Sequence, residues 1–506
     1  MRASLVGRLL IPLVLAAACA ALLLQKTDLS IVDLGRHLKN GDVLLHGTWA
    51  EKQAVLHTNF YSYAQGEFPF VNHHWLSGVV FYLAWRAVHF EGLTILYFAL
   101  VAASLIVMYL AVRRAYGTAF AAPLAALAIP LLAWRYDVRP EGFTYLLTAV
   151  FYSVLLAWRQ GLLSDKWLYV LPALMLLWVN LHIGFVFGFL LIGFFGLKSA
   201  NYGRKLWPAA GLSVLAALLN PNLLAGLLYP LNIFRNYGYS VAENQSIAGL
   251  AGRGMAGAWE YTFFYWMLAV AAGSFVLRWF VKKPGSESRI PEGLLLGAVA
   301  FLAFNAVRNL PLFALLMIPV VAGNLHDVLS AGKTLLNSTY MRIGSAVVFG
   351  IGLLYAGQQY EEKQRNFGIG LRDGVEATMD FLHTNRVGGP WFNDIDNGGY
   401  LIFHSQGVFV DGRPEAYPSG FLEKSYIGAL SDDAAWRELD AQHHFNAIVC
   451  SLEDGFPPIE RFLIARAHDS DWAPVYTDSY SLVFVRRTDA NADVIRAHEI
   501  PQSQFR

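Results

Sequence analysis

Between Leu9 and Ala356 one apolar run follows another, each close to the length a helix needs to cross a bilayer, with only short charged breaks between them. A single hydrophobic core stops growing at roughly 250–300 residues. A chain of 506 residues that is 56% hydrophobic and 15% charged cannot hide that surface in one core, so most of it must face lipid. The formal net charge of +1 gives no reason to expect nucleic acid as a partner. Of the two cysteines, Cys19 lies in an apolar run and Cys450 in the polar tail, so neither a disulfide nor a Cys/His metal framework is expected.

Arg2 and Arg8 precede the run 9–24, which resembles a signal sequence but continues past Cys19 and reads as an uncleaved anchor. Further spans are expected at 92–112, 118–134, 142–158, 167–180, 184–197, 206–219, 261–280, 291–307, 310–325 and 340–356. The segment 75–90 is also apolar but carries Arg86 and His89. If it lies at the outer interface, every basic loop falls on the same side as Arg2 and Arg8: Arg113-Arg114, Arg159 with Lys166, Lys198 with Arg204-Lys205, Lys282-Lys283 with Arg289, and Lys333 with Arg342. If it crosses, all of them move outside, against the positive-inside rule. The expectation is therefore about eleven spans, with the N-terminus in the cytoplasm. In a bacterial inner membrane the C-terminal tail is then periplasmic.

The fold class expected is a polytopic α-helical membrane protein with a C-terminal soluble α/β domain. Residues 1–357 form the membrane domain, with 25–91 as a first outer loop containing the interfacial helix, and 358–506 the soluble domain. In the tail, 391–392, 399–403, 408–410, 447–450 and 482–485 read as short strands, and 368–385 and 432–444 as helices. Asp432-Asp433 suits a helix start.

The outer loops hold the candidate chemistry. Asp33 follows the first span by about nine residues, near the depth of a lipid phosphate, where a carboxylate can take a proton from an attacking hydroxyl or amine. Asp28 and Asp42 compete for this role. The second outer loop, Arg135-Tyr136-Asp137-Val138-Arg139-Pro140-Glu141, sets two cations that suit phosphate beside two carboxylates that could take a divalent cation, Mg²⁺ or Mn²⁺. It also reads as a charged turn at a helix boundary. His37, His73 and His74 lie in the first loop and His182 at a span end. Neighbouring histidines point to opposite sides in extended chain and sit about 100° apart on a helix, which argues against a two-histidine zinc site. Arg308, between two spans, could neutralise phosphate or simply anchor the interface. Asn393–Gly399 resembles part of a calcium loop but lacks its bidentate Glu, and reads better as a glycine-rich turn.

Taken together, these residues resemble the GT-C superfamily of membrane glycosyltransferases. The resemblance rests on Asp33…His37-Leu38…Gly41, Asn72-His73-His74-Trp75-Leu76, Arg139-Pro140…Phe143-x-Tyr145, Trp178-x-Asn180-Leu181-His182, Asn220-Pro221 and Arg308-Asn309-x-Pro311-Leu312-Phe313. In the tail it rests on Phe392-Asn393-Asp394…Gly398-Gly399-Tyr400 and Val410-Asp411-Gly412-Arg413…Tyr417. The resemblance implies glycosyl transfer at the outer face from a polyprenyl-phosphate-linked sugar to an acceptor that is a protein, lipid or glycan. It makes Asp33 the catalytic carboxylate and places the acidic pair Asp137 and Glu141 where relatives hold a metal. The chain departs from the group's pattern at Leu34-Gly35, where paired Trp is usual, and at His74, where Glu is usual. Two other readings remain: a transporter or scaffold without catalysis, and a ligase or polymerase of lipid-linked glycans. Transporters favour polar residues at mid-membrane in broken helices, whereas here they gather in outer loops.

Overall fold

The computed structural model describes residues 2–30, 33–198, 200–239, 242–252, 259–281, 288–331, 338–452 and 456–505. Lys282, Lys283 and Lys333, and the side chains of Arg2, Arg8 and Arg342, lie outside the described residues. The chain divides into two compact units: 1–26 with 94–230 and 241–369, and 27–93 with 231–240 and 370–506.

The described residues of the first unit are helical apart from their connections. Among the described residues four helices are long and apolar enough to cross a membrane by length and composition: Trp75–Tyr116, whose residues 75–93 belong to the second unit, Glu141–Arg159, Tyr261–Val281 and Val307–Ser330. Shorter apolar helices cover Leu9–Leu23, Thr118–Leu132, Ile183–Gly196, Leu223–Asn232, Ile290–Asn305 and Ile343–Gln358. Thr118–Leu132 is the centre of this unit, with every residue from Ala121 to Leu132 buried. Ser338–Lys363 crosses it closely because Gly352 has no side chain; a Cβ there would stand 2.8 Å from the carbonyl carbon of Ala126. Small residues at such crossings let helix backbones approach where lipid supplies no hydrophobic drive between helices. The helix Trp75–Tyr116 is broken at Val88 and His89, whose φ of 47° is left-handed, at the point where the segment 75–90 was expected to end.

The second unit is built on a four-stranded sheet. Its strands are β1 (Trp391–Asn393), β2 (Ala447–Ser451), β3 (Trp472–Thr477) and β4 (Ser481–Arg486), in the order β1-β2-β4-β3. Only β1 and β2 run parallel. Phe392 sits at the aromatic centre of the core, against Trp436, Phe445 and Phe462. The helix expected at 432–444 is Asp433–His443, capped by Asp432, whose side chain accepts from the backbone of Ala435 at 2.8 Å.

Several expectations for the tail are corrected. Residues 399–403 form the helix Gly398–Phe403, not a strand, because an apolar run this short carries no decisive periodicity. Residues 408–410 form no strand, because side chains and the first loop take their backbone groups. Asn393 accepts from Phe409 N at 2.8 Å and donates to Val410 O at 2.8 Å, while Tyr63 N and Tyr61 O pair with Val408 at 3.1 Å each. The helix expected over 368–385 is confined to Ala377–Thr384, and β3 and the helix Pro457–Ala467 were not anticipated.

The first-loop helix Leu34–His46 packs by its glycines. A Cβ on Gly35 would lie 2.3 Å from Gly399 O, and one on Gly41 would lie 2.3 Å from Gly78 O. Gly35, one of the departures from the paired-Trp pattern, is thus where this helix meets Gly398–Phe403 backbone to backbone.

Candidate functional site

In the second unit Asp33 precedes the first turn of Leu34–His46 as its N-cap residue. Arg36, one turn on, places Nη2 3.3 Å from Asp33 Oδ1. The Arg36 side chain is buried, yet its Nε and Nη1 have no hydrogen-bond partner among the described residues. On another side stands Gly412, where a Cβ would come within 2.6 Å of Asp33 Oδ1. The Asp33 side chain keeps 26% of its surface open.

The two competing carboxylates are committed elsewhere. Asp28 is buried, accepts from Ser30 and pairs with Arg372 at 2.7 Å. Asp42 pairs with Lys39 at 3.0 Å and His46 at 3.1 Å.

Gly412 is held by its neighbours. Arg413 Nε donates to Asp411 Oδ1 at 2.7 Å, and Nη2 donates to Asn59 Oδ1 at 2.7 Å. Its guanidinium lies over the Phe70 ring, 4.7 Å from the centroid. Burial alone would raise the Asp411 carboxyl, but Arg413 beside it holds it below the usual carboxylate range. Tyr61 Oη donates to Asn40 Oδ1 at 2.8 Å, and Ser62 Oγ to Phe409 O at 3.0 Å. The 408–413 segment and the first loop therefore form one hydrogen-bonded body around Asp33.

His37, His73 and His74 come together. The His37 and His74 rings are 4.8 Å apart edge to face, and His73 and His74 are 4.0 Å apart. The chain turns at His73 and His74 instead of running extended, which brings their rings near each other; His74 Nδ1 lies 3.2 Å from Asn72 Oδ1.

The first unit holds a separate charged cluster. Arg135 places Nη1 2.6 Å from Glu243 Oε2 and Nη2 3.2 Å from Glu141 Oε1. Arg139 Nη1 lies 3.2 Å from Glu243 Oε2. Burial alone would raise the Glu243 carboxyl, but Arg135, Arg139 and Arg308 around it hold it far below its usual range. The turn carrying Arg308 is pinned by Val307 N donating to Gln245 O at 3.2 Å. Arg308 itself makes no ion pair within 4 Å among the described residues, although its charge acts on Glu243. Arg135 and Arg139, by contrast, are already engaged.

His182 stands on the same unit, after the helix Val170–Leu181. Gly184 N donates to His182 Nδ1 at 3.1 Å, so Nδ1 is the acceptor and the ring proton sits on Nε2. Thr144 Oγ1, which accepts from Trp178 Nε1 at 2.9 Å, therefore donates to the same Nδ1 at 2.8 Å. Burial pushes the His182 imidazole down to about 4.

Glu141 is engaged by Arg135, and among the described residues no three His, Cys, Asp or Glu side chains converge to hold a metal ion. A hard divalent cation at Asp137 and Glu141 would take the rest of its oxygen shell from water and substrate phosphate.

Sequence reasoning missed Glu243, Arg36 and Gly412. Glu243 had a signal: it is the only acidic residue between Lys205 and Trp259. Arg36 and Gly412 had none beyond adjacency to Asp33 and Asp411.

No protein family matches the sequence by profile, and no curated protein matches it. Solved structures do match in fold. ArnT from Cupriavidus metallidurans in the apo state aligns with a TM-score of 0.56 at 13% identity, over 97% of this chain and 99% of that one. The same protein bound to undecaprenyl phosphate aligns with a TM-score of 0.52 at 13% identity, over 96% and 99%. The archaeal oligosaccharyltransferase AglB from Archaeoglobus fulgidus, in complex with an inhibitory peptide and a dolichol-phosphate, aligns with a TM-score of 0.61 at 10% identity, over 95% and 74%. A further structure of the Archaeoglobus fulgidus oligosaccharyltransferase contains Zn and sulfate. At these identities the likeness is one of fold.

Proposed function

We propose that this chain, whose fold is GT-C-like, is a membrane glycosyltransferase. It moves a sugar from a polyprenyl-phosphate-linked donor to an acceptor at the outer, periplasmic face. The observation that carries the reading is Asp33: a partly open carboxylate at a helix start, fixed by Arg36 and Gly412, while Asp28 and Asp42 are taken by ion pairs. The solved structures with undecaprenyl phosphate and dolichol-phosphate support the donor class.

In the proposed step an acceptor hydroxyl or amine attacks the anomeric carbon of the donor sugar. The bond from that carbon to the phosphate oxygen breaks, and polyprenyl phosphate leaves with its electron pair. Asp33 takes the acceptor's proton. Arg308 is the cation proposed to neutralise the phosphate, since Arg135 and Arg139 spend their charge on Glu243 and Glu141. His182, neutral at physiological pH with its proton on Nε2, is proposed as a hydrogen-bond donor to the substrate, and His37, His73 and His74 as the polar wall beside Asp33.

The reading is tested by reconstituting the purified protein in liposomes with a panel of radiolabelled polyprenyl-phosphate sugars and following release of the label from lipid. Transfer with at least one donor is expected. Absence of both transfer and donor binding across the panel would return the chain to the scaffold reading.

A further inference from the structure

Two helical segments of the second unit end together. The helix Leu34–His46 and the segment 75–88 run side by side in the same direction. A Cβ on Gly78 would lie 2.8 Å from His37 O, one on Gly41 would lie 2.5 Å from Tyr82 Cβ, and the His46 and Tyr82 rings stand 5.6 Å apart. Both segments are closed near their starts and open at their ends. Residues 34–38 and 77–78 are buried, whereas Leu45, Leu83 and Val88 are exposed. Trp49, which opens the next helix, Trp49–His57, is 76% open.

Trp49 is held out by a fixed turn. Thr48 N donates to Glu51 Oε2 at 2.7 Å, Thr48 Oγ1 accepts from Glu51 N at 3.3 Å, and Lys52 Nζ donates to Leu45 O at 3.2 Å. Single exposed apolar side chains are ordinary on any surface. Here four of them gather at one end of a helix pair, on segments that also carry Lys52, Arg86 and His89. Trp and aliphatic side chains mixed with long cations suit the headgroup–acyl boundary of a bilayer.

What covers this tip follows from the continuity of the chain. Trp75–Tyr116 has 42 residues, about 63 Å of helix and roughly twice a hydrocarbon core. It is too long for one span, and it breaks at Val88 and His89. The part after the break, residues 90–116, is about 40 Å long, which is enough to cross with some tilt. The exposed tip therefore stands where the chain passes into its first long apolar span after the loop.

We propose that the tip formed by residues 45–52 and 83–89 inserts into the headgroup–acyl boundary of the bilayer. The second unit then has a membrane contact of its own besides the spanning helix. Because Asp33 begins the same helix that ends at the tip, this insertion fixes how far the carboxylate stands from the bilayer. The contact depends on no step of the proposed transfer.

The test uses the full chain reconstituted in vesicles of phosphatidylcholine and phosphatidylglycerol. A nitroxide label is placed on Trp49→Cys, on Leu83→Cys, or on Arg437→Cys, an exposed position of the same unit. Cys19 and Cys450 are buried, and the unsubstituted chain gives the labelling background. Collision with oxygen and with a water-soluble nickel complex reports the depth of each label. The labels at 49 and 83 are expected about 5–10 Å inside the boundary, the depth of an interfacial helix face, with the label at 437 in water. Nickel access at either tip position equal to that at 437 would overturn the proposal. So would shielding of the tip labels from both reagents, which marks a protein partner or a second copy. Melting curves check that each variant folds, and if one tip variant does not, the other decides.

Discussion

Gly412 stands so close to Asp33 that a Cβ on it would fall 2.6 Å from the Asp33 Oδ1 oxygen. A glycine in the tail thus defines the space available to a carboxylate in the first loop. Gly412→Ala must push Asp33, or the 411–413 turn, by several tenths of an ångström. Misplacement of a reacting group by about 1 Å can cost of the order of a hundredfold in rate. The expected outcome is a fall in kcat of about tenfold or more with donor KM little changed, accompanied by a stability loss of ~1–3 kcal/mol from overpacking. Steady-state kinetics on the reconstituted protein, beside a melting curve, checks both.

The cations of the first unit separate by their partners. Arg135 is a buried member of an ion-pair network with Glu243 and Glu141. Removing one partner of a buried pair costs ~3–5 kcal/mol, so Arg135→Gln is expected to lower the melting temperature sharply. Arg308, with no ion pair among the described residues, is expected to behave oppositely. Arg308→Gln should leave the melting temperature nearly unchanged and weaken donor binding by about tenfold or more, as for a lost charge-assisted hydrogen bond of ~1.5–3 kcal/mol. Binding of a polyprenyl phosphate, measured on both variants, distinguishes them.

His182 gives a pH signature. Its imidazole is pushed from an ordinary value of 6.5 to about 4 by burial. Between those values the unfolded chain binds a proton that the folded chain refuses, so folding stability falls as pH drops through that window. Above 6.5 the contribution is flat. His182→Gln removes the titration and should flatten this part of the stability profile. Thermal melts of both proteins at intervals from pH 7.5 to 4 measure it.

The helical body and the rough sites of charge were legible because they follow from local rules. Apolar run length gave the helices. Asp33, Arg135, Arg139, Glu141 and Arg308 were singled out because each sits at a helix boundary, where polar residues are conspicuous against apolar neighbours. What could not be read are pairings across long stretches of chain. Arg135 and Glu243 are far apart in sequence, and nothing local says that the arginine is neutralised while Arg308 is not. Gly35 looked like a loss from the paired-Trp pattern, yet its missing side chain is what lets two helices touch. The run 399–403 failed as a strand for the reason short apolar runs generally do: length and periodicity are too little to choose.

The most direct measurement is sugar transfer by Asp33→Asn in reconstituted liposomes with whichever donor the wild type accepts. Asn keeps the size of Asp33 but cannot take a proton, so the fold and donor binding should persist. Transfer is expected to fall by about 10²–10⁴, the usual contribution of a positioned general base, with melting temperature and polyprenyl-phosphate affinity close to wild type. Transfer at the wild-type rate by Asp33→Asn would remove this carboxylate from the chemistry and contradict the account.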